Sequence, residues 1–447
     1  MDREELKRLA GETVERSLAA GADTAEVSII RETEFSVTVR EGKIENLVES
    51  GSRRIGIGLS VDKRTSNVTS TDLSSGSIAR LIERGIELAR IMDRDEYAGL
   101  PEAGELGAAG GDLGIFDERT VSLTAGERIE TATRLERIAL ELDRRIISDG
   151  ASCSTAILTR AFANSLGFCE AYRSTGSSIV ISLAVEDRPA AGENTGKKQS
   201  SWWYSTDVAF GGLNPVEEVA QRAVERTLRK LGAVRPRTCE APVVFDPVTA
   251  RDLIRWIAAA AGGGSIYRKS SFLVDRLGER VGSPLVTLVD DPLLPGRPGS
   301  RPFDREGVRP RRTPVITGGV LDSYLLSSYQ ARKLSLATTG HAGGPSNIHL
   351  EAGGSTPGQI IASVDDGLYL TSMSGPGANW STGDFSQGAQ GIWIRGGRLA
   401  EPVDGFTVTG TFPRMLAGIV MVGDDLEWRG ATNAPTFKID SMTISGT

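Results

Sequence analysis

Glycine is the residue whose distribution most constrains what this chain can fold into. The 447 residues include 53 glycines, which concentrate after Gly262 and again from Gly340 to Gly430 without a G-X-Y period. Glycine tolerates the left-handed backbone conformations that tight turns require. The second part of the chain is therefore expected to consist of short strands and turns rather than long helices.

The first part of the chain alternates between helical and strand periodicity. Asp2 and Glu5 form a capping-box pattern ahead of apolar residues at helical spacing, and Gly21 ends this first predicted helix. Alternating apolar residues on both sides of a turn at 41–43 predict an antiparallel meander. Further patterns predict helices at 78–89, 124–142 and 214–231, and strands at 156–161, 169–174 and 179–185.

Residues 235–238 contain proline and charges, interrupt both periodicities and are the best candidate for a linker. They separate a predicted N-terminal domain, 1–234, from a predicted C-terminal domain, 239–447. The fold class is therefore α+β, with an N-terminal domain of helices on an antiparallel sheet and a C-terminal β-rich domain with one leading helix. In the second domain we predict a strand at 242–245, a helix at 247–261, and short strands at 285–289, 318–325, 392–394, 406–409 and 419–422.

The charge balance excludes some classes of protein. With 51 basic and 58 acidic residues the formal charge is -7, which argues against a nucleic-acid binder with its basic face. No apolar run approaches the roughly 20 residues of a membrane span, and the charged segment 2–5 is unlike a signal peptide. Three cysteines, Cys153, Cys169 and Cys239, are too few for a disulfide framework and are expected to be packing residues. We therefore predict a cytoplasmic protein without membrane contact.

Histidine is too scarce for an obvious zinc site. A catalytic zinc needs imidazole or carboxylate ligands that converge on one ion and leave one position open for water. The two histidines, His341 and His349, lie eight residues apart in a stretch with Gly and Pro, and no HExxH pair occurs. The pattern favours two polar loop histidines over a metal pair completed by distant carboxylates. We accordingly predict no catalytic residue, no metal ligand and no cofactor.

Other catalytic patterns are also missing. Residues 163–167 only resemble a G-x-S-x-G elbow, and 262–265 lack the G-K-[ST] ending of a phosphate loop. The acidic pairs at 290–291, 365–366 and 424–425 are expected at turns and strand ends, because neighbours on a strand point to opposite faces. Asp384 is either a site residue or an Asx-turn former. The arginines between 305 and 312 form either a solvated loop or a surface for an acidic partner.

Several segments spread over almost the whole chain resemble one family. The most specific is residues 381–394, which read STGDFSQGAQGIWI and lead into GGRLAEPV at 396–403 and MVGDDL at 421–426. Residues 21–23, 164–167 and 289–291 add to the similarity. Together these segments resemble the PmbA/TldE branch of the TldD/PmbA family.

The resemblance implies a specific departure from zinc binding. In the TldD branch, a His-Glu-x-x-x-His motif on the first helix of the C-terminal domain binds zinc, with a further cysteine near the C-terminus. The resemblance places the three motif positions near Arg255, Trp256 and Ala260, and the cysteine position at 431–433. A guanidinium, an indole and a methyl group offer zinc no ligand. The possible cleft-lining residues of the family-specific segment are Asp384, Phe385 and Ser386.

The function implied by the resemblance is that of a non-catalytic peptidase subunit. In the family, a TldD-like zinc-bearing subunit and a TldE-like subunit form a heterodimer around a cleft that admits unfolded peptides, which the complex processes or degrades. This chain would supply cleft walls and strand edges for peptide binding. Two alternatives remain open: a metal-independent hydrolase using carboxylates of the C-terminal domain such as Asp384 or Asp424, and a homodimeric peptide-binding scaffold.

Overall fold

The computed structural model describes residues 1–187 and 198–446, so Thr447, the end of the predicted C-terminal domain, lies outside the described residues. The elements up to residue 228 are α1 (Arg3–Ala19), β1 (Thr24–Arg40), β2 (Lys43–Val61), β3 (Arg64–Ser70), α2 (Ser75–Ile91), α3 (Glu118–Ser122), α4 (Ala125–Leu142), β4 (Ile146–Asn164), β5 (Cys169–Glu186), β6 (Lys198–Asp207) and α5 (Val216–Leu228).

The six strands of this part form one antiparallel sheet, here called the N-terminal sheet, in the order β3-β2-β1-β4-β5-β6. Alternate residues at both ends of β1 and along much of β4 are buried, as expected of an antiparallel sheet that packs on one face. Helices α1 and α2 cover one end of that face, and α4 and α5 cover the other. The predicted N-terminal architecture of helices on an antiparallel sheet is confirmed.

The helix ends show how far capping patterns predict structure. The Asp2 backbone N–H donates to the Glu5 carboxylate at 2.7 Å, and the Glu5 N–H donates to Asp2 at 2.9 Å, as the capping box predicts. Helix α5 differs from its predicted range because it begins after Pro215 and ends at Leu228. The Asn214 side chain accepts a hydrogen bond from Ser205 Oγ at 2.9 Å, which ties the start of α5 to β6.

The second part of the chain has many short elements. They are β7 (Cys239–Phe245), α6 (Pro247–Ala261), α7 (Gly263–Tyr267), β8 (Leu288–Asp290), β9 (Thr313–Thr317), β10 (Val320–Leu321), α8 (Ser328–Leu334), β11 (Ile348–Leu350), α9 (Pro357–Ala362), β12 (Asp366–Ser374), β13 (Ala378–Asn379), β14 (Asp384–Arg395), β15 (Arg398–Thr411), α10 (Phe412–Ala417), β16 (Ile419–Val422), β17 (Thr432–Asn433) and β18 (Phe437–Ser445).

Five of these strands close into a barrel. The order is β12-β7-β18-β15-β14, and β14 pairs back to β12, which leaves no free edge within that circuit. A second sheet follows the order β10-β9-β8-β11-β17. Helix α6 packs into the same hydrophobic core as the barrel strands, with Leu253 and Ile257 fully buried. The predicted β-rich C-terminal domain with a leading helix is confirmed.

The differences from the predicted elements are local. The strand predicted at 318–325 shortens to β10, because Gly318 and Gly319 both adopt positive φ (53° and 82°) and form the turn that precedes it. Helices α7 to α10 have five to seven residues, too few for helical periodicity to show. Within the ranges 1–187 and 198–446, no helix combines the length and apolar character needed to cross a membrane.

Candidate functional site

A cavity of about 470 Å³ lies where the N-terminal sheet meets the barrel. Its walls come from β6, which is the last strand of the N-terminal sheet, from the end of α5, from the first turns of α6, and from β12 and β14. Ser, Thr and Gln side chains make up much of these walls, together with five charged residues and two tryptophans. We call this space the interdomain cavity.

Lys230 connects the two sides of the interdomain cavity. Its ammonium group donates to the Ser200 carbonyl on β6 at 2.6 Å and to the Gln390 side-chain oxygen on β14 at 2.9 Å. Burial, followed by the charge of Arg226, lowers the pKa of Lys230 to about 8. The cavity therefore contains a positive charge, that of Lys230, which the surrounding groups stabilise less well than water would.

Arg226 fixes the start of α6 against α5. Its guanidinium donates to the Asp246 carboxylate at 2.9 Å and to the Thr371 carbonyl at 2.9 Å. Asp246 is fully buried and also accepts from the backbone N–H of Thr249 at 2.8 Å, as an N-cap does. The Arg226 guanidinium lies 4.9 Å from the centre of the Trp203 ring. This wall is thus held by a charge pair, a helix cap and a cation–π contact.

One face of α6 continues the wall of the cavity toward the predicted motif positions. Arg251 and Asp252 line the cavity, and Asp252 pairs with Arg255 one turn further on at 3.1 Å. Burial raises the pKa of the Asp252 carboxyl. Residues four apart on a helix share a face, so Arg255 and Trp256 extend the surface that Arg251 and Asp252 begin.

The three motif positions have different environments. The Arg255 side chain is 63% exposed, whereas Ala260 is fully buried. The Trp256 ring lies 5.7 Å from the Phe385 ring and 6.3 Å from the Phe412 ring. Arg255 is thus exposed, Trp256 packs against other rings and Ala260 is buried, and none of the three side chains offers zinc a ligand.

Residues without a thiol also occupy 431–433, the position expected for the cysteine near the C-terminus. Strand β17, which includes Thr432 and Asn433, lies against α6. The Asn433 amide oxygen accepts from the Arg429 N–H at 2.7 Å, and its amino group donates to the Gly430 carbonyl at 2.8 Å. The residues present do not fit a zinc ion at this place.

The family-specific segment 384–386 begins β14. Asp384 and Ser386 are exposed, and Phe385 is buried against Trp256. The Asp384 carboxylate accepts from the Thr382 hydroxyl at 2.6 Å, while the preceding turn is capped by Asn379, whose side chain accepts from the Ser381 N–H at 3.0 Å. The structure thus brings Phe385 to the motif helix. A role of Asp384, Phe385 and Ser386 in lining a cleft stays a prediction, since none of them lines the interdomain cavity.

The histidines are both buried, which the sequence did not indicate. His341 Nε2 lies 3.0 Å from the Asp290 carboxylate, which also accepts from the Ser346 N–H at 2.7 Å. His349 lies on β11, with its ring centre 4.8 Å from that of Trp428. Within the described ranges 1–187 and 198–446, no group of three or more His, Cys, Asp or Glu side chains could hold a metal ion.

One of the cysteines and two arginines of the arginine-rich loop have contacts that suit a structural role. Cys153 is fully buried, and burial raises the pKa of its thiol to about 12, which makes it a poor nucleophile. Arg311 pairs with Glu105 at 3.3 Å and Arg312 with Glu351 at 2.7 Å. These two arginines therefore have acidic partners within the chain itself.

Sequence reasoning missed the residues that define the interdomain cavity. A signal was present in the aromatic run 202–204 and in the cations at 226, 229 and 230 at the end of a predicted helix. Neither pattern shows that β6, α5 and α6 meet, because that contact depends on how the sheet and the barrel pack.

Comparisons with known proteins agree over nearly the whole chain. Three domain models of one family match in order: PmbA/TldA metallopeptidase domain 1 at residues 25–89, the central domain at 119–231 and the C-terminal domain at 238–446. The metalloprotease PmbA of Escherichia coli O157:H7 is 35% identical over 431 residues, which cover 96% of this chain and 94% of that protein. A PmbA homolog of Haemophilus influenzae is 32% identical over 449 residues, covering 99% and 96%.

Solved structures show the same fold. A Bacteroides thetaiotaomicron protein described as a candidate modulator of DNA gyrase has a TM-score of 0.93 at 28% identity, with 100% of both chains covered. TldE from Thermococcus kodakarensis has a TM-score of 0.85 at 20% identity, covering 97% of this chain and 99% of that one, a likeness of fold alone.

Proposed function

The chain belongs to the PmbA/TldD family of metallopeptidases, and we propose that within this family it is the metal-free, non-catalytic subunit of a TldD/TldE-type peptidase. The zinc ion would lie in a TldD-like partner subunit. The complex would process or degrade unfolded peptides, and this chain would help to bind them.

The surface of α6 carries this proposal. The helix begins at the wall of a cavity between the sheet and the barrel, and Arg255, Trp256 and Ala260 stand at the positions where the resemblance places the zinc motif. A permanent cation, an indole packed against Phe385 and a buried methyl group supply no lone pair for zinc. A peptidase of this family would then need its metal from another chain.

Free strand edges support a role in binding extended chains. Residues 43–54 of β2 pair with β1 on one side, and no described strand pairs with their other side, because β3 pairs with β2 from Ile55 to Val61. This free stretch is exposed and carries Ile44 and Leu47, which are 50% and 44% exposed. An exposed edge with unpaired backbone groups can accept a strand from a peptide or a partner subunit.

Reconstitution with the TldD-like protein of the same organism tests the proposal. The purified chain should contain no zinc and should not cleave an unfolded peptide, and activity should appear on mixing with the partner. An Arg255→Ala variant should reconstitute as well as the wild type, because no catalytic step is assigned to this residue.

Two other results would contradict the proposal. Cleavage by the purified chain in the presence of a chelator would indicate a metal-independent hydrolase, and Asp384→Asn should then abolish activity without lowering stability. A homodimer that persists in size-exclusion chromatography in the presence of the TldD-like protein would instead favour a peptide-binding scaffold.

The predicted domain boundary and compartment belong to the same proposal. All described strands of the N-terminal sheet end by Asp207, and all barrel strands begin at Cys239 or later. This arrangement supports a division into 1–234 and 239–447, with the linker at 235–238. We place the protein in the cytoplasm.

A further inference from the structure

The charges that line the interdomain cavity do not balance. Of the residues that the structure describes, five ionisable side chains line it, and three of them have a counter-ion outside the lining. These pairs are Asp149 with Arg40 at 3.8 Å, Asp252 with Arg255 at 3.1 Å, and Arg226 with Asp246 at 2.9 Å. The other two lining charges, Lys230 and Arg251, are both positive.

Neither of these two cations has a carboxylate within ion-pair distance among residues 1–187 and 198–446. Lys230 donates to two neutral oxygens, those of Ser200 and Gln390, and a primary ammonium has three protons to donate. Arg251 donates to the Tyr204 hydroxyl, and its guanidinium lies 5.3 Å from the centre of the Tyr204 ring. A guanidinium has five N–H donors, so both cations retain donors for a ligand.

We propose that the interdomain cavity binds a carboxylate group of a peptide between Lys230 and Arg251. A carboxylate is planar and accepts two hydrogen bonds from a guanidinium in parallel, which an ammonium group can supplement as a point charge. That the ligand is a peptide rests on the proposed function, whereas the charge of the bound group follows from the cavity itself.

The remaining walls fit the residue that would carry the carboxylate. Trp202 is 44% exposed and lines the cavity together with Met373. The two side chains offer apolar surface beside the cations. A volume of about 470 Å³ leaves room for a terminal residue and part of its neighbour.

Equilibrium binding of matched peptides tests this site. The probes are an unstructured Gly–Ser peptide ending in leucine as the free acid, the same peptide as the amide, and the amide with one internal glutamate. The acid should bind the full chain at least about tenfold more tightly than the plain amide, because hydrogen bonds between charged groups are stronger than those between neutral ones. The measurement is made with the chain alone and with its TldD-like partner.

Substitutions then test whether the difference between acid and amide arises at these two cations. Lys230→Gln and Arg251→Gln should each remove most of the difference between acid and amide. Arg229→Gln removes the same charge from the neighbouring exposed position and should retain the difference. Thermal unfolding of each variant separates loss of binding from loss of structure, and the acid–amide comparison in the wild type needs no variant.

The outcomes are distinct. Tight binding of the glutamate-containing amide would support the site and identify a side-chain carboxylate as its ligand. Equal binding of all three peptides, or no binding of any, by the chain and by the complex would overturn the proposal. Since binding is measured without cleavage, a complex that discriminates acid from amide but does not hydrolyse peptides would contradict the proposed function and leave this site intact.

Discussion

Two regions of opposite charge lie where the N-terminal sheet meets the C-terminal part of the chain. One is the interdomain cavity, with Lys230 and Arg251. The other, here called the acidic contact, brings Glu26 of β1 beside Asp304 and Glu306 in the segment that precedes β9. The two regions belong to the same interface, yet their polar groups are satisfied in different ways.

In the acidic contact the chain itself supplies the hydrogen bonds. Asp304 accepts from three backbone N–H groups, at 2.8, 2.9 and 3.0 Å, and Glu306 accepts from the Ser328 N–H at 2.9 Å. Beside it, the Phe303 ring lies 5.2 Å from the rings of both Phe168 and Tyr172. Backbone donors and packed rings make this region a structural contact. The cavity, in which two cations retain unused donors, is the region suited to a ligand.

Removing the central ring should break the acidic contact. Phe303 is 1% exposed, and Phe303→Ala should lower the free energy of unfolding by about 3–5 kcal/mol through lost burial and the resulting void. Denaturant titration measures this. Trp202→Ala at the cavity should cost less than about 1 kcal/mol and should weaken peptide binding, because that ring is 44% exposed. Similar losses of stability in both variants would show that the two regions do not differ in role.

Charge in the acidic contact should make stability depend on pH. Burial, and then the negative charges of Glu306 and Asp304, raise the pKa of Glu26 from 4.5 to about 7. The folded state then holds this proton more tightly than the unfolded state, so stability should fall as pH rises from about 4.5 to 7.

Glu26→Gln should remove that dependence. The substitution should stabilise the protein by about 1–3 kcal/mol above pH 7 and have little effect near pH 4.5, as thermal unfolding at several pH values can measure. Glu32→Gln lies on the same strand at an exposed position and serves as the control. An equal gain for Glu26→Gln at both pH values would contradict the assignment of a buried charge.

Local patterns predicted the elements but not these two regions. Helix α6 and strand β16 occupy the predicted ranges 247–261 and 419–422, because capping and periodicity are properties of consecutive residues. The cavity joins Lys230, Arg251 and Gln390 from three separate parts of the chain, and the buried pair His341–Asp290 joins residues 51 positions apart. Such contacts depend on tertiary packing, which no window of the sequence contains.

The smallest expected effect is a dependence on pH of peptide binding in the interdomain cavity. Burial and then the charge of Arg226 on α5 lower the pKa of Lys230, and Asp404 on β15 raises it. Of the described residues, Ser200 and Gln390 accept hydrogen bonds from its ammonium group. With the pKa of Lys230 at about 8, the cation is mostly present at pH 7 and mostly lost at pH 9. Binding of the peptide acid should weaken by up to about tenfold over this range, since the protonated form binds the carboxylate.

Lys230→Arg supplies the matched comparison for this effect. A guanidinium stays charged throughout the range, so this variant should bind the peptide acid with little change between pH 7 and 9. Calorimetric titration in buffers of equal ionic strength measures both proteins. A wild-type affinity that is equally independent of pH would remove Lys230 from the site and leave Arg251 to bind the carboxylate. The ionisation of Glu26 in the acidic contact should be the same in the wild type and in Lys230→Arg, because the pKa of Glu26 is lower than that of Lys230.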